Sequence, residues 1–256
     1  ALADKVDFIA AAAPERPIEV EAQFHKLRMD TFLQHPALAT SMLIQGSTAN
    51  GRLILRIPPL NPKAALALGQ LDLAASSVNI LAQKRQLDKL SARIKLLGSA
   101  LEIQRSRMLW RDQPIAMTGQ IRPDPKAADS WVRLNIKAGP LALQKLVENY
   151  PTLPQAQGEA SVDVTVDGPL SDPSLAGRVT ARNVEAPIPE TPDQKVQIRD
   201  LAADFELDSN SLHFKKVEGH TASGDPIEGR GWVFRDQKQD LYLRLSGGAS
   251  ELRRLS

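Results

Sequence analysis

Strict alternation of apolar and polar residues recurs along the chain. In the segment SVDVTVDG, Val162, Val164 and Val166 alternate with polar side chains, and the segment LAADFELD at 201–208 has the same period of two. Further examples lie at 17–24, 131–136, 212–214 and 241–245, and the segments between them carry Gly, Pro, Asn and Asp. This period is typical of β-strands with one apolar and one solvated face, separated by turns. The sequence therefore predicts an all-β, mainly antiparallel protein.

An internal repeat organises these strands. Residues 87–103 align without a gap on residues 198–214, which lie 111 positions later. The apolar positions coincide at Ile94 and Phe205, Leu96 and Leu207, Leu101 and Leu212, and Ile103 and Phe214. Residues 132–146 recur at 241–255, and each copy leads from an alternating strand into a Leu-rich segment typical of a short helix, as at 142–150.

The repeat predicts four segments. Residues 1–17 end a preceding repeat, 18–130 form a first unit, 131–240 form a second unit, and 241–256 begin a truncated third. A copy that stops inside its helix indicates that the sequence is part of a longer repetitive chain. The near-seamless junctions favour units stacked into a continuous structure, as in a solenoid.

Composition narrows the class of protein. The 256 residues include 15 Gly and 18 Pro, which disfavours long helices, and they include no Cys, which excludes disulfides, thiolate nucleophiles and zinc–thiolate sites. A net charge of +2 does not indicate nucleic-acid binding through bulk charge. The apolar stretch at 6–13 is too short for a membrane span and lacks the basic leader of a signal peptide.

Candidate catalytic and metal-binding residues do not form a recognisable site. The four histidines, His25, His35, His213 and His220, lack metal-ligand spacing, and no nucleophile elbow or phosphate-binding loop is present. Two sets of acids share a strand face, at Asp163 and Asp167 and at Asp204, Glu206 and Asp208. A pair of carboxylates on one face is the arrangement of a glycosidase, but these acids lie beside Ser, Thr, Arg and Lys, which favours a solvated face. The sequence predicts no catalytic residue, no metal site and no cofactor.

The apolar face of the strands has two physical solutions. A second sheet can close it into a sandwich, or an open curved sheet can hold a ligand on it. The residues alone leave both open.

The second copy resembles the AsmA/TamB superfamily of envelope proteins. The resemblance rests on a Leu153-Pro154 step, on Gly158, on the turn segment that runs from Gly168 through Pro173 to Gly177, on strands at 201–207 and 212–214, and on a closing strand with two glycines at 229–231. It covers residues 130–256 closely and residues 18–130 loosely.

The resemblance implies a function. Proteins of that family are similar to bridge-like lipid transfer proteins, with a long, taco-shaped β-sheet whose concave face is apolar. For this chain it implies a periplasmic location, an inner-membrane anchor outside the sequence, phospholipid acyl chains and an outer-membrane protein as partners, and neither enzymatic activity nor nucleic-acid binding. The implied lining residues are Val162, Val164, Val166, Val179, Leu201, Phe205, Leu207, Leu212, Phe214, Leu241, Leu243 and Leu245, with Leu53, Leu55, Ile94, Leu96, Leu101 and Ile103 in the first copy. The alternative is a structural β-repeat scaffold, or a platform for outer-membrane protein assembly, without lipid cargo.

Overall fold

The structure is a computed structural model in which the chain forms two compact units, Ala1–Val132 and Arg133–Ser256. It describes residues 5–13, 16–28, 42–58, 65–80, 85–123, 130–147, 155–188, 191–207, 211–234 and 242–246. Nearly all of these residues lie in β-strands.

The first unit is an antiparallel sheet in which most strands pair with the next strand of the chain. Its strands are β1 (Lys5–Ala13), β2 (Arg16–Arg28), β3 (Met42–Gln45), β4 (Thr48–Ile57), β5 (Leu66–Ile80), β6 (Arg85–Gly98), β7 (Ala100–Trp110) and β8 (Gln113–Pro123). Their order across the sheet is β1, β2, β4, β5, β6, β7, β8. The short strand β3 pairs with the end of β5, so that β3 and β4 share one long partner.

The second unit repeats this arrangement. It contains most of β9 (Ser130–Ala142), then helix α1 (Leu143–Val147), β10 (Gln157–Pro169), β11 (Ser174–Ile188), β12 (Thr191–Leu207), β13 (Ser211–Thr221), β14 (Pro226–Phe234) and β15 (Tyr242–Ser246). These strands follow one another across the sheet in chain order, from β9 to β15. Every pair from β10 onward is antiparallel.

The predicted fold class is confirmed: the described residues form open, antiparallel sheets with a short helix. The strands are longer than the alternating segments that predicted them. The eight residues of SVDVTVDG lie within a 13-residue strand, and β12 contains 17 residues, of which the first part is largely polar. Hydrogen bonds to neighbours on both sides extend such strands beyond their apolar segments. Helix α1 lies inside the segment predicted at 142–150, whose last three residues are outside the described ranges.

The 111-residue repeat is also present in the hydrogen-bonding pattern. The β6–β7 pairing shifts register between Arg93 and Ile94, and the β12–β13 pairing shifts between Asp204 and Phe205, 111 positions later. The β7–β8 and β13–β14 pairings shift at Ile103/Ser106 and Phe214/Val217, with the same spacing. A β-bulge inserts an unpaired residue and increases the local twist. The two units therefore share local backbone irregularities as well as an apolar pattern.

Tight turns connect the strands around these bulges. Gly98 adopts φ +74° in the turn between β6 and β7. Arg111 and Asp112 form the two-residue turn between β7 and β8, with φ values of 53° and 62°. Two successive positive φ values characterise the type I′ turn, whose twist matches that of a β-hairpin.

Candidate functional site

Cross-strand pairing in the second unit aligns the alternating apolar residues into rows. In one row Val164 lies opposite Gly177, and Gly177 lies opposite Phe205. The row continues from Phe205 to Phe214 and from Phe214 to Gly231. Residues directly opposite each other share a face of the sheet, so the row extends across five strands on one side.

Three further rows lie on the same side, which we call the apolar face of the second unit. They contain Val166, Leu175, Leu207 and Leu212; Val162, Val179, Ala203 and Val217; and Ala160, Ala181, Leu201, Gly219 and Ile227.

Gly177 allows two strands of this face to approach closely. A Cβ at this position would lie 2.3 Å from the carbonyl oxygen of Asp163 and 2.9 Å from the Cα of Val164. On its other side, Gly177 lies opposite Phe205 of β12. A larger residue would have to displace backbone atoms.

The apolar face is only partly buried. Its most buried members are mainly small, such as Ala160, Ala203 and Val217, whereas Phe205, Phe214, Leu207 and Leu212 keep intermediate exposure. The extensive contacts among described elements are those of neighbouring strands, together with contacts of α1 on β10. Within the described ranges of the second unit, these contacts provide no opposing layer of the kind that a sandwich would supply.

The opposite face of the second unit carries a ladder of opposite charges. Lys137 Nζ lies 3.0 Å from Asp163 Oδ2 on the neighbouring strand, and Arg178 lies 3.5 Å from Asp204 and 2.8 Å from Glu218. Hydrogen bonds from Lys216 first, and then from Arg178, lower the pKa of the Glu218 carboxyl below its usual value.

The acids singled out in the sequence lie on this charged face, as predicted. Asp167 binds Arg133 at 2.9 Å, and Glu206 binds Lys215. Asp163 and Asp204 belong to the ladder, and Asp208 lies outside the described residues. Each described acid of the two sets thus faces a basic side chain.

The first unit has the same kind of apolar face. Leu53 lies opposite Gly69, which lies opposite Leu96, and Leu96 lies opposite Leu101. The apolar face of the first unit comprises two longer rows and one short row: Ala22, Leu53, Gly69, Leu96, Leu101 and Ile121; Phe24, Gly51, Leu71, Ile94, Ile103 and Gly119; and Val20, Leu55 and Ala67. Ile103 is 8% exposed, whereas Leu55 is 38% exposed.

The other face of the first unit is mixed. It carries ion pairs between Arg52 and Glu21 at 2.5 Å and between Arg56 and Glu19 at 2.7 Å. It also carries apolar residues. Ile54 on β4 lies opposite Leu68 on β5, which lies opposite Leu97 on β6, and Leu66 lies two positions before Leu68. Leu66 is 44% exposed and Leu97 is 41% exposed. Apolar residues lie on both faces here because the leucines of LALGQL occupy both phases of the alternation.

The structure thus brings together most of the predicted lining residues. Nine of the second copy share one face, and the six of the first copy share another, as the rows above show. The backbones of Leu243 and Leu245 pair with Gly231 and Gly229, while Leu241 lies outside the described residues.

Sequence reasoning missed several members of these faces. Leu175 continues the alternation of Gly177 and Val179, and Leu71 continues that of Gly69, so the period of two could have found both. Val217 follows a bulge that shifts the alternation by one residue, so no fixed period identifies it.

The two histidines of β13 contact different groups. His220 Nδ1 lies 2.9 Å from Asp200 Oδ1, and the ring of His213 meets that of Trp232 edge-on at 6.4 Å. His35 lies outside the described residues. In the ranges that the structure describes, no group of three or more His, Asp or Glu side chains is arranged to hold a metal ion, and no helix is long and apolar enough to cross a membrane.

These features define a class: repeated open antiparallel sheets with one partly exposed apolar face. Comparisons of the chain with protein-family models, with curated proteins and with solved structures give no match.

Proposed function

We propose that this chain is a lipid-binding segment of an AsmA/TamB-like envelope protein, in which acyl chains lie along the apolar face of each unit. The observation that carries the proposal is the set of apolar rows, which are partly exposed and to which the described elements of the same unit add no opposing layer. The apolar face of a sheet must be covered by another apolar group. An extended acyl chain can cover it because its length is similar to that of a row or of a strand.

The energetics support an acyl chain as the covering group. Burying a methylene contributes about 0.8 kcal/mol, so a sixteen-carbon chain regains about 13 kcal/mol at most. This approaches what the same chain loses when it leaves a bilayer. Transfer along such a face requires no catalytic residue, because the lipid stays in an environment of nearly constant polarity.

The proposed cellular location and partners follow from the resemblance to the AsmA/TamB superfamily. In this proposal the segment is periplasmic, belongs to a protein anchored in the inner membrane, and carries phospholipid toward the outer membrane and a partner there. The ion pairs of the opposite face, such as Lys137–Asp163 and Arg178–Asp204, remain in water. In this proposal the apolar face contacts lipid, whereas the opposite face contacts water.

A photo-crosslinking experiment tests the proposal with controls on the same strands. A benzophenone amino acid replaces Phe205 on β12 or Phe214 on β13, and in the controls it replaces the adjacent Glu206 or His213, whose side chains lie on the opposite face. After irradiation with phospholipid vesicles, intact-mass spectrometry is expected to show lipid adducts at Phe205 and Phe214 in roughly tenfold excess over the controls. Equal adducts on both faces, or none at Phe205 and Phe214, would overturn the proposal.

A structural scaffold is the second candidate. The repeated register shifts, 111 positions apart, favour it because they show that the two units preserve the same local backbone geometry. In a scaffold the apolar face is covered by protein, and a dye that fluoresces in apolar surroundings is expected to remain dark with the native chain. Strong dye fluorescence with unchanged circular dichroism favours the lipid-binding function.

A further inference from the structure

A shallow depression lies on the charged face of the second unit, across β11, β12, β13 and β14. Its volume is about 690 Å³, within the range of about 300–1,000 Å³ that is usual for small-ligand sites. Ala176 lies opposite Glu206, and Glu206 lies opposite His213. His213 in turn lies opposite Trp232. These four lining residues therefore form one cross-strand row, which we call the Trp232 row.

Small side chains keep one end of the depression open. Ala176 and Ser174, two positions before it on β11, are both exposed and occupy little volume. At the other end, the indole of Trp232 is 42% exposed. The ring of His213 meets it edge-on, with 6.4 Å between the ring centres, so the two rings are not stacked. The depression therefore has an accessible aromatic wall and a low floor.

The polar groups of the depression favour a neutral, hydroxylated ligand. The Glu206 carboxylate is paired with Lys215, and Ser174 and Ser211 contribute hydroxyl groups. An anion would meet the carboxylate, and an acyl chain would cover polar groups without replacing their hydrogen bonds with water. A pyranose ring has a face of C–H bonds that packs on an indole, and its hydroxyl groups both donate and accept hydrogen bonds. A sugar ring therefore matches this lining.

The equivalent row of the first unit has neither the aromatic wall nor the low floor. It contains four long polar side chains, Gln70, Lys95, Glu102 and Gln120. Lys95 and Glu102 lie 111 positions before Glu206 and His213, and across the row Gln120 takes the place of Trp232. Because the two units share their strand order and their bulges, the repeat itself does not require a tryptophan here.

We propose that the Trp232 row binds an oligosaccharide on the charged face of the second unit. One pyranose ring stacks on the Trp232 indole, and the glycan continues along the row past Glu206 to Ala176. Three strand spacings separate the ends of the row by about 14 Å, which accommodates about three pyranose rings. This site is distinct from the apolar face and does not depend on acyl chains binding there.

Oligosaccharide binding by the full chain tests this site. An array of linear mono- to hexasaccharides of glucose, galactose, mannose and N-acetylglucosamine identifies a bound glycan, and titration calorimetry measures its Kd. Trp232→Leu is expected to weaken binding about tenfold, because it removes the stacking surface. Trp131→Leu is the control: it removes an indole that is 47% exposed on β9 and is not among the lining residues, so Kd should not change.

A second pair of variants tests the low floor. Ala176→Leu fills the depression and is expected to weaken binding about tenfold as well, because a bulky side chain occupies the space of a sugar ring. Ala202→Leu adds the same side chain to the charged face of β12, between Thr180 and Glu218 and outside the depression, and should leave Kd unchanged. Circular dichroism checks that all four variants fold.

Three results would overturn the proposal. These are the absence of binding to every glycan of the array, equal losses in a variant and its control, and displacement of the bound glycan by adenine, which stacks on an indole but lacks hydroxyl groups. Crosslinking at Phe205 reports on lipid at the apolar face, so failure of the lipid proposal is distinguishable from failure of this one.

Discussion

At the scale of the residue, Gly177 shows how closely the strands of the apolar face are packed. A Cβ atom on this residue would lie 2.3 Å from the Asp163 carbonyl oxygen, which is far shorter than a van der Waals contact. The obstacle is backbone, which cannot move aside as a flexible side chain can. Packing at this position therefore depends on the absence of a side chain.

Substitution of Gly177 tests this packing. Gly177→Ala is expected to lower the free energy of unfolding by about 2–3 kcal/mol, because β10 and β11 must separate to admit the methyl group. Urea denaturation followed by circular dichroism measures the loss. Gly224→Ala is the control: no atom lies within 4 Å of its Cβ position, and its φ of +93° adds backbone strain alone, so its loss should be smaller.

The pKa of the Glu218 carboxyl reports on the ion pairs of the charge ladder. Lys216→Ala removes the hydrogen bond that contributes most to its lowered pKa, so the pKa of Glu218 should rise toward its usual value. The stabilisation that this carboxylate contributes is present above its pKa in the unfolded chain and is lost as pH falls through its lowered pKa in the folded chain. NMR titration of the side-chain carboxyl carbon measures the pKa, and Lys215→Ala, whose partner is Glu206, should leave it unchanged.

At the scale of the element, the two faces of β12 have different surroundings. Ala203 lies between Val179 and Val217 and is 8% exposed, whereas the adjacent Ala202 lies between Thr180 and Glu218 on the charged face. The same residue type at consecutive positions therefore has opposite surroundings. This difference follows from the pleat, which sends successive side chains to opposite faces.

A pair of identical substitutions measures the difference between these surroundings. Ala203→Asn is expected to lower the free energy of unfolding by about 1–3 kcal/mol, because it buries an amide among apolar groups, whereas Ala202→Asn should change it by less than about 0.5 kcal/mol. Thermal and urea unfolding measure both variants, and the strand propensity of the new residue cancels in the comparison. Equal effects at the two positions would contradict the assignment of faces.

At the scale of the whole molecule, the extent of partly exposed apolar surface is the dominant feature. Both units present rows of apolar residues, and the first unit adds Ile54, Leu66, Leu68 and Leu97 on its other face. Soluble monomers seldom leave contiguous apolar surface uncovered without a partner or ligand. A ligand that binds only the folded chain should therefore stabilise it measurably.

Fatty acids of different length test this expectation. Palmitate at about 100 times its Kd should add about 2.7 kcal/mol to the free energy of unfolding and raise Tm, since it binds the folded state alone. Butyrate carries the same carboxylate on a much shorter chain and should leave Tm unchanged. Scanning calorimetry compares them below the micelle concentration of palmitate; equal shifts with both acids would show that the headgroup charge and not the acyl chain is bound.

The alternation of apolar residues predicted six of the fifteen described strands, and the repeat added the apolar positions of β6 and β7. Val162, Val164 and Val166 lie on one side of β10, as their spacing requires, and Phe205 and Leu207 continue their rows on β12. The predictions failed where the backbone departs from a regular pleat, as at the bulge before Val217, and where leucines fill both phases, as around Leu66 and Leu68. A bulge depends on pairing with a distant strand, so a local pattern cannot locate it.

The sequence by itself determined the class of fold, the repeat of 111 residues and the side of each regular strand that is apolar, because a period of two is a local property of the chain. The tertiary structure decided which residues become neighbours. Register placed Gly177 between Val164 and Phe205, joined Arg178 to Asp204 and Glu218, and set Arg93 opposite Arg105. These contacts join strands through long-range hydrogen bonding, which no local window of sequence specifies.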